Sequence, residues 1–264
     1  MSSVVQRIKV AGQPYGGYLP VKLFNKVEYD DGLVLGSENL SPVTVGSAVD
    51  YLTRYMLTGD EEAFDISCRG AYVAESFGYK GAYSEALGYL HNLSGLNAET
   101  IKAACRLTAF DMYYRNPNHA YEIRPAYTIN PDNTTTENIK VMVERSLTFF
   151  EKVGPLVATE FTFEGGGYTQ EVDAGDGDFL TRYGLWDMKV SKDKPKSMHT
   201  MQILMYYVMG KHSDQEIFKD INTIGIWNPR LNQMFELNTK DIDKEVIQKI
   251  ERDVICYETT DTIV

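Results

Sequence analysis

The feature that most constrains the fold is a strand–turn–strand pattern in the segment GDGDFLTRYGLWDMKVS, residues 175–191. Apolar runs on both sides of the turn TRYG are typical of buried strands. The same segment carries Asp176, Asp178, Asp187 and Lys189. Charged residues are rarely buried unless something compensates them. The pattern therefore predicts either a salt-bridged surface hairpin or a group of carboxylates that converge on a metal ion.

Side chains along the second strand, LWDMKVS, alternate between the two faces of a sheet. Trp186 and Met188 share an apolar face, which we expect to pack on the core. Asp187 and Lys189 share the opposite face. The hairpin brings the preceding strand alongside, so we expect the carboxylates of Asp178 and Asp187 to lie within reach of one cation.

The order of elements from Thr136 onward is helix, three strands, helix, one or two strands and helix, which predicts a mixed α/β core. We expect this core to span residues 136–256 of a single domain, residues 1–264, with a central sheet flanked by helices. Residues 1–135 are expected to form an N-terminal elaboration of short strands followed by helices.

Capping residues mark the starts of three predicted helices. The segment SPVTVGSAVDYLTRYMLTGD begins with Ser41 and a proline, carries apolar residues at helical spacing and ends at Gly59. Asn97 is expected to cap a second helix, and Thr136 a third. These signals are local, so they indicate where helices begin but not how the helices pack.

The net charge of −11 argues against a general nucleic-acid coating protein, which normally carries a basic face. Residues 182–199 nevertheless hold a local excess of positive charge beside the acidic segment. Its basic side chains are Arg182, Lys189, Lys192, Lys194 and Lys196. We therefore expect that a polyanion can still bind at this place.

No apolar run is long enough to span a bilayer, and the N-terminal segment has no signal-peptide core. The cysteines Cys68, Cys105 and Cys256 are widely spaced and form neither a metal-ligand pair nor a disulfide framework. These features predict a cytoplasmic protein that does not associate with membranes.

The acidic residues have the chemistry of a divalent-metal site. Two carboxylates, completed by water and substrate phosphate, are what Mg²⁺ or Mn²⁺ usually binds. Lys189 beside them can orient a water molecule or hold a phosphate oxygen as a point charge. Gln202 and Tyr206 lie four residues apart on the following helix and hence on one face. If that face meets the carboxylates, Gln202 can support the water or a phosphate.

These residues resemble the motifs of the PD-(D/E)XK nuclease superfamily, and more narrowly of its RecB-like branch. In that family an acid ends one strand, acid-x-Lys lies on the next strand, and Gln-x-x-x-Tyr lies on the following helix. The matching positions here are Asp178, Asp187, Lys189, Gln202 and Tyr206. The resemblance covers roughly the C-terminal half of the chain and implies a restriction-endonuclease-like core.

The resemblance also implies a function: hydrolysis of DNA phosphodiester bonds with one or two Mg²⁺ or Mn²⁺ ions. Asp178, Asp187 and the Met188 carbonyl would bind the metal, and Lys189, Gln202 and Tyr206 would complete the catalytic set. Glu160 matches a commonly acidic position on the first core strand of the family. Asp50 stands where the RecB-like branch has a metal-binding histidine, and an aspartate can serve the same metal.

Other interpretations of these residues remain open from the sequence. Asp187 and Lys189 can form a surface salt bridge, and Gln202 and Tyr206 can be core residues with locally satisfied polar groups. His199 is interpreted as a surface histidine. The main functional alternative is a catalytically weak or inactive nuclease-like fold. It would serve as a nucleic-acid-binding or protein-interaction module in a phage or mobile-element context, with residues 1–135 available to a protein partner.

Overall fold

The computed structural model describes residues 2–116 and 125–258. The chain divides into two units, Met1–Tyr29 with Phe150–Val264, and Asp30–Phe149. We call the first the sheet unit and the second the helical unit. The described α-helices are α1 (Val4–Val10), α2 (Pro42–Thr58), α3 (Asp65–Ser76), α4 (Ala82–Leu90), α5 (Ala98–Leu107), α6 (Asp111–Arg115), α7 (Asn133–Val153), α8 (Ser197–His212) and α9 (Lys244–Lys249), which a π-helix at Ile250–Ile255 continues. None of the helices in these ranges is long and apolar enough to cross a membrane.

A mixed six-stranded sheet with strand order β1-β6-β5-β4-β3-β2 forms the sheet unit. Its strands are β1 (Asn25–Glu28), β2 (Leu156–Phe161), β3 (Gly177–Thr181), β4 (Gly184–Met188), β5 (Thr223–Asn228) and β6 (Gln233–Asn238). β4 and β5 are parallel, whereas the other neighbouring pairs are antiparallel. Parallel neighbours need a crossover connection, and α8 lies in that connection. A mixed sheet flanked by helices confirms the predicted α/β class.

Helix α8 is buried along nearly its whole length. Leu204 and Met205 belong to one hydrophobic core cluster with Leu185 of β4 and Ile226 of β5. Helix α1 and the π-helix also contact α8, which explains why most residues of this helix are apolar and buried. Because side chains alternate along a strand, the face of β4 that carries Leu185 and Asp187 is the face toward α8.

The first 29 residues are part of the sheet unit, whereas the sequence placed them in the N-terminal elaboration. β1 pairs with β6 at the edge of the sheet, and α1 contacts α8. Three of the four residues of β1 are exposed. The sequence predicted short strands in this part of the chain, and β1 is one of them. Its exposed edge position gives it no apolar alternation that would indicate its pairing with β6.

Two of the predicted helix starts are confirmed in the helical unit. Ser41 accepts a hydrogen bond from the first turn of α2, which ends at Gly59 in the left-handed conformation (φ 73°). The Asn97 side chain caps α5. The prediction for Thr136 is wrong, because α7 already begins at Asn133 and Asp132 accepts a backbone N–H of its first turn at 2.7 Å.

A buried polar network ties three helices of the helical unit together. The Asp111 carboxylate of α6 accepts hydrogen bonds from the Tyr51 hydroxyl of α2 and the Ser67 hydroxyl of α3, both at 2.6 Å. Arg115 donates to the Tyr51 oxygen at 3.2 Å. Burial and the charge of Asp111 raise the pKa of Tyr51, so its hydroxyl remains a donor. The network satisfies a carboxylate that would otherwise be costly to bury.

Candidate active site

Three acidic residues of the sheet lie in one row across neighbouring strands. The register that pairs Phe179 with Trp186 brings Asp178 of β3 opposite Asp187 of β4 at the next position. On the other side of β3, the register of β2 brings Glu160 opposite Asp178. Directly opposed residues of antiparallel strands point to the same face. We call these three residues the acid row.

Asp187 is fully buried, and Lys189 compensates its charge. The side chain of Asp187 is 0% exposed, and its Oδ1 lies 2.8 Å from Nζ of Lys189, whose side chain is 25% exposed. β4 is an inner strand between β3 and β5, which explains the burial. The alternative of a surface salt bridge is therefore wrong: the carboxylate is in the interior and the ammonium group reaches toward solvent.

Asp178 is held against the end of β4 by the backbone. Its Oδ2 accepts the Met188 N–H at 2.7 Å. The N–H and C=O of one strand residue point to the same side of the strand, so the Met188 carbonyl also points toward β3. The carboxylate of Asp178 and this carbonyl therefore lie on the same side of β4.

Helix α8 brings Gln202 and Tyr206 to the acid row. The Gln202 side-chain amide donates to the Tyr206 hydroxyl at 2.9 Å. Tyr206 is buried, and burial together with the negative charges of Asp178 and Asp187 raises its pKa. The hydroxyl therefore stays protonated beside two carboxylates, where it can donate a hydrogen bond.

His199 is a site residue that the sequence interpretation missed. Burial, followed by the positive charges of Lys189 and Lys196, lowers its pKa to about 4. Its Nδ1 accepts the Lys196 N–H at 3.2 Å, so the proton of the neutral ring lies on Nε2. The spacing 199, 202, 206 is i, i+3, i+7 on a helix, and this signal could have placed His199 on the same face as Gln202 and Tyr206.

The charge state of His199 gives the fold a testable pH dependence. Its pKa is about 4 in the fold against an ordinary value of 6.5, so the unfolded chain binds more protons between these two values. The stability contribution of the neutral ring is complete above about pH 6.5 and is lost as the pH falls toward 4. We expect chemical denaturation between pH 7 and 4 to show that the free energy of unfolding falls more steeply with pH for the wild type than for His199→Gln. Equal pH dependence in the two proteins would refute this assignment.

Glu160 and Asp50, the two additional predicted ligands, differ in their surroundings. Glu160 is half-buried and has a left-handed backbone (φ 50°), which is uncommon for a residue other than glycine and is concentrated at functional sites. Asp50 belongs to the helical unit, where it forms an ion pair with Arg54 one turn later on α2. A ligand role for either residue stays a prediction.

The basic residues near the acid row are fewer than the sequence indicated. Arg182 lies at the β3–β4 turn, where its guanidinium covers the Tyr183 ring. That turn is at the opposite end of both strands from the acid row, so Arg182 is not beside it. The loop with Lys192 and Lys194 follows β4 directly, and Asn228 of β5 holds it by donating to the Ser191 carbonyl at 2.9 Å.

The donor set at the acid row fits Mg²⁺ or Mn²⁺ in chemical type. Within residues 2–116 and 125–258, no group of three or more His, Cys, Asp or Glu side chains is arranged to hold a metal ion. Mg²⁺, however, commonly takes only one or two carboxylates and completes its shell with water and phosphate. Asp178, Asp187 and the Met188 carbonyl are hard oxygen donors of this kind.

In comparisons with known proteins, no family model, no curated protein and no solved structure matches this chain. The functional conclusion therefore depends on the geometry of the acid row and on the motif resemblance, which stays a prediction.

Proposed function

We propose that the protein is a metal-dependent nuclease that hydrolyses DNA phosphodiester bonds on a restriction-endonuclease-like core. One observation carries the proposal: the buried Asp187 is paired with the partly exposed Lys189 at 2.8 Å, directly across from Asp178. Burying a carboxylate is costly, and an acid row on the strand faces toward α8 adds like charges at the same place. Such an arrangement is typical of functional sites rather than of a stabilising core.

The order and direction of the elements support the core that we propose. Helix α7 precedes three antiparallel strands, β2 to β4, and α8 leads from β4 to the parallel strand β5. This is the helix, three strands, helix, strand order of the PD-(D/E)XK superfamily. Asp178 lies near the start of β3, Asp187 and Lys189 lie at and just after the end of β4, and Gln202 and Tyr206 lie on α8. The order of these elements supports the proposal, whereas the motif expects its first acid at the end of its strand.

The acid row would hold the metal through Asp178, Asp187 and the Met188 carbonyl, with Glu160 as a further carboxylate. When bound, Mg²⁺ or Mn²⁺ lowers the pKa of a coordinated water and neutralises charge that develops on the scissile phosphate. The Lys189 ammonium, whose side chain is partly exposed, would orient a water molecule or hold a phosphate oxygen at this place. The protonated Tyr206 hydroxyl and the Gln202 amide are neutral hydrogen-bond donors. They can therefore position a water molecule or a phosphate oxygen without adding negative charge to the acid row.

Replacing Asp178 with asparagine tests metal binding and DNA cleavage together. We expect calorimetry to show Mn²⁺ binding by the wild type and cleavage of single- or double-stranded DNA only in the presence of Mn²⁺ or Mg²⁺. Asp178→Asn should lower metal affinity by more than about 100-fold, since loss of an outer partner of a metal ligand alone costs about 10- to 100-fold.

The control for this test is Asp193→Asn, which removes an exposed aspartate that pairs with Lys196 at 3.0 Å on the neighbouring loop. It should keep wild-type binding and cleavage. Absence of Mn²⁺ binding and of cleavage by the wild type would contradict the proposal and favour the alternative of an inactive interaction module.

A further inference from the structure

A tight turn beside the start of α8 presents Tyr15 to solvent. The Gly17 N–H donates to the Pro14 carbonyl at 2.8 Å, and Gly16 at the third position has φ 87°, the signature of a type II turn. The side chain of Tyr15, at the second position, has a relative exposure of 109%. No other large hydrophobic residue in the described part of the chain is as exposed.

The turn is fixed against α8 by close packing. A Cβ atom on Gly17 would lie 2.7 Å from the Ser197 Cβ, and the φ of 88° at Gly17 also favours glycine. Two residues later, the Leu19 carbonyl accepts the Thr200 hydroxyl at 2.5 Å. The backbone of the turn that carries Tyr15 is therefore positioned against the first turn of α8.

The first turn of α8 connects this ring to the acid row. The His199 ring accepts the Lys196 N–H at 3.2 Å, and the charge of Lys189 contributes to the lowered pKa of this ring. Lys189 in turn contacts Asp187. Along the helix, residue 197 and Tyr206 are about 14 Å apart at the α-helical rise, which about four nucleotides of a stacked strand can span.

We propose that Tyr15 is a stacking platform for an unpaired base of the DNA strand whose phosphate binds at the acid row. This inference rests on the proposed nuclease function and narrows its substrate to a strand with an unstacked base, such as single-stranded DNA or a frayed end. A tyrosine face stacks on any base, and the contact is independent of sequence.

The test compares Tyr15→Ala with the wild type, using a fluorescent oligothymidylate and a blunt duplex as probes. Loss of a base–aromatic stack corresponds to about a 5- to 150-fold loss of affinity. We expect Tyr15→Ala to raise Kd and KM for the single strand by such a factor, to leave kcat unchanged and to affect the duplex little. Tyr15→Trp should retain wild-type values.

The matched control is Tyr183→Ala, which removes an exposed tyrosine at the β3–β4 turn, the end of these strands opposite the acid row. It should bind the single strand like the wild type. The stacking role is overturned if Tyr15→Ala binds like the wild type, if both alanine variants weaken binding equally, or if the wild type binds neither probe. A wild type that binds the single strand through Tyr15 but cleaves neither probe contradicts the nuclease function and leaves the stacking role supported.

Discussion

Replacing Asp187 with asparagine is expected to lower the rate of DNA cleavage by about 100- to 1000-fold, the range for loss of one preorganised electrostatic group. Asparagine has nearly the shape of aspartate, so the packing of β4 changes little. The substitution removes the negative charge that holds Lys189 and that would bind the metal. Lys189 can then turn to solvent, because its side chain is already 25% exposed. Steady-state cleavage of labelled single- and double-stranded DNA with Mn²⁺ measures the effect.

A surface aspartate–lysine pair gives the control for Asp187→Asn. Asp193 and Lys196 have the same chemistry at 3.0 Å, but their side chains are 68% and 62% exposed. Asp193→Asn should therefore cleave at the wild-type rate. Trp186 and Trp227 both belong to the sheet unit, so tryptophan fluorescence during denaturation reports whether this unit remains folded in each variant. A folded Asp187→Asn variant with wild-type cleavage would remove the basis of the proposed mechanism.

Replacing Asp111 with alanine is expected to lower the free energy of unfolding by about 2 to 6 kcal/mol, because two buried hydroxyl groups lose their acceptor. The substitution leaves the Tyr51 and Ser67 hydroxyls without their acceptor in the interior of the helical unit. Each unsatisfied buried group adds about 1 to 3 kcal/mol. Urea denaturation followed by far-ultraviolet circular dichroism measures the change, since the helical unit contains most of the described α-helix.

The control for Asp111→Ala is Asp65→Ala on α3. Asp65 accepts a hydrogen bond from the Arg69 guanidinium at 3.2 Å, but the two side chains are 51% and 62% exposed. An exposed pair of this kind contributes less than about 1 kcal/mol. If Asp111→Ala destabilised the protein no more than Asp65→Ala, the network would not be a major contributor to the stability of the helical unit.

Contacts within single elements were predictable from spacing. Lys189 directly follows the last residue of β4 and forms an ion pair with Asp187, two residues earlier on that strand. Gln202 and Tyr206 are four residues apart on α8 and form a hydrogen bond. The predicted shared faces are therefore confirmed. The periods of strand and helix are properties of the backbone, so they hold whatever the element packs against.

Contacts between elements were predictable only in part. The prediction that Asp178 lies alongside Asp187 is confirmed. A short turn such as TRYG makes the two strands that it joins pair with each other. The same hairpin places Arg182 at the turn, at the end of the strands away from the acid row. The sequence pattern had predicted Arg182 among the basic residues beside the acids. Arg182 is close to the acids in sequence but not in space, because each residue of an extended strand adds about 3.3 Å of length.

The amino-acid sequence by itself determined the α/β class, the caps of α2 and α5, and the faces on which Asp187, Lys189, Gln202 and Tyr206 lie. All of these follow from local backbone geometry. Only the tertiary structure decided that β4 is an inner strand, that Asp187 is fully buried, and that the Tyr15 turn packs on α8. These features depend on contacts between residues far apart in the chain, which no local period encodes.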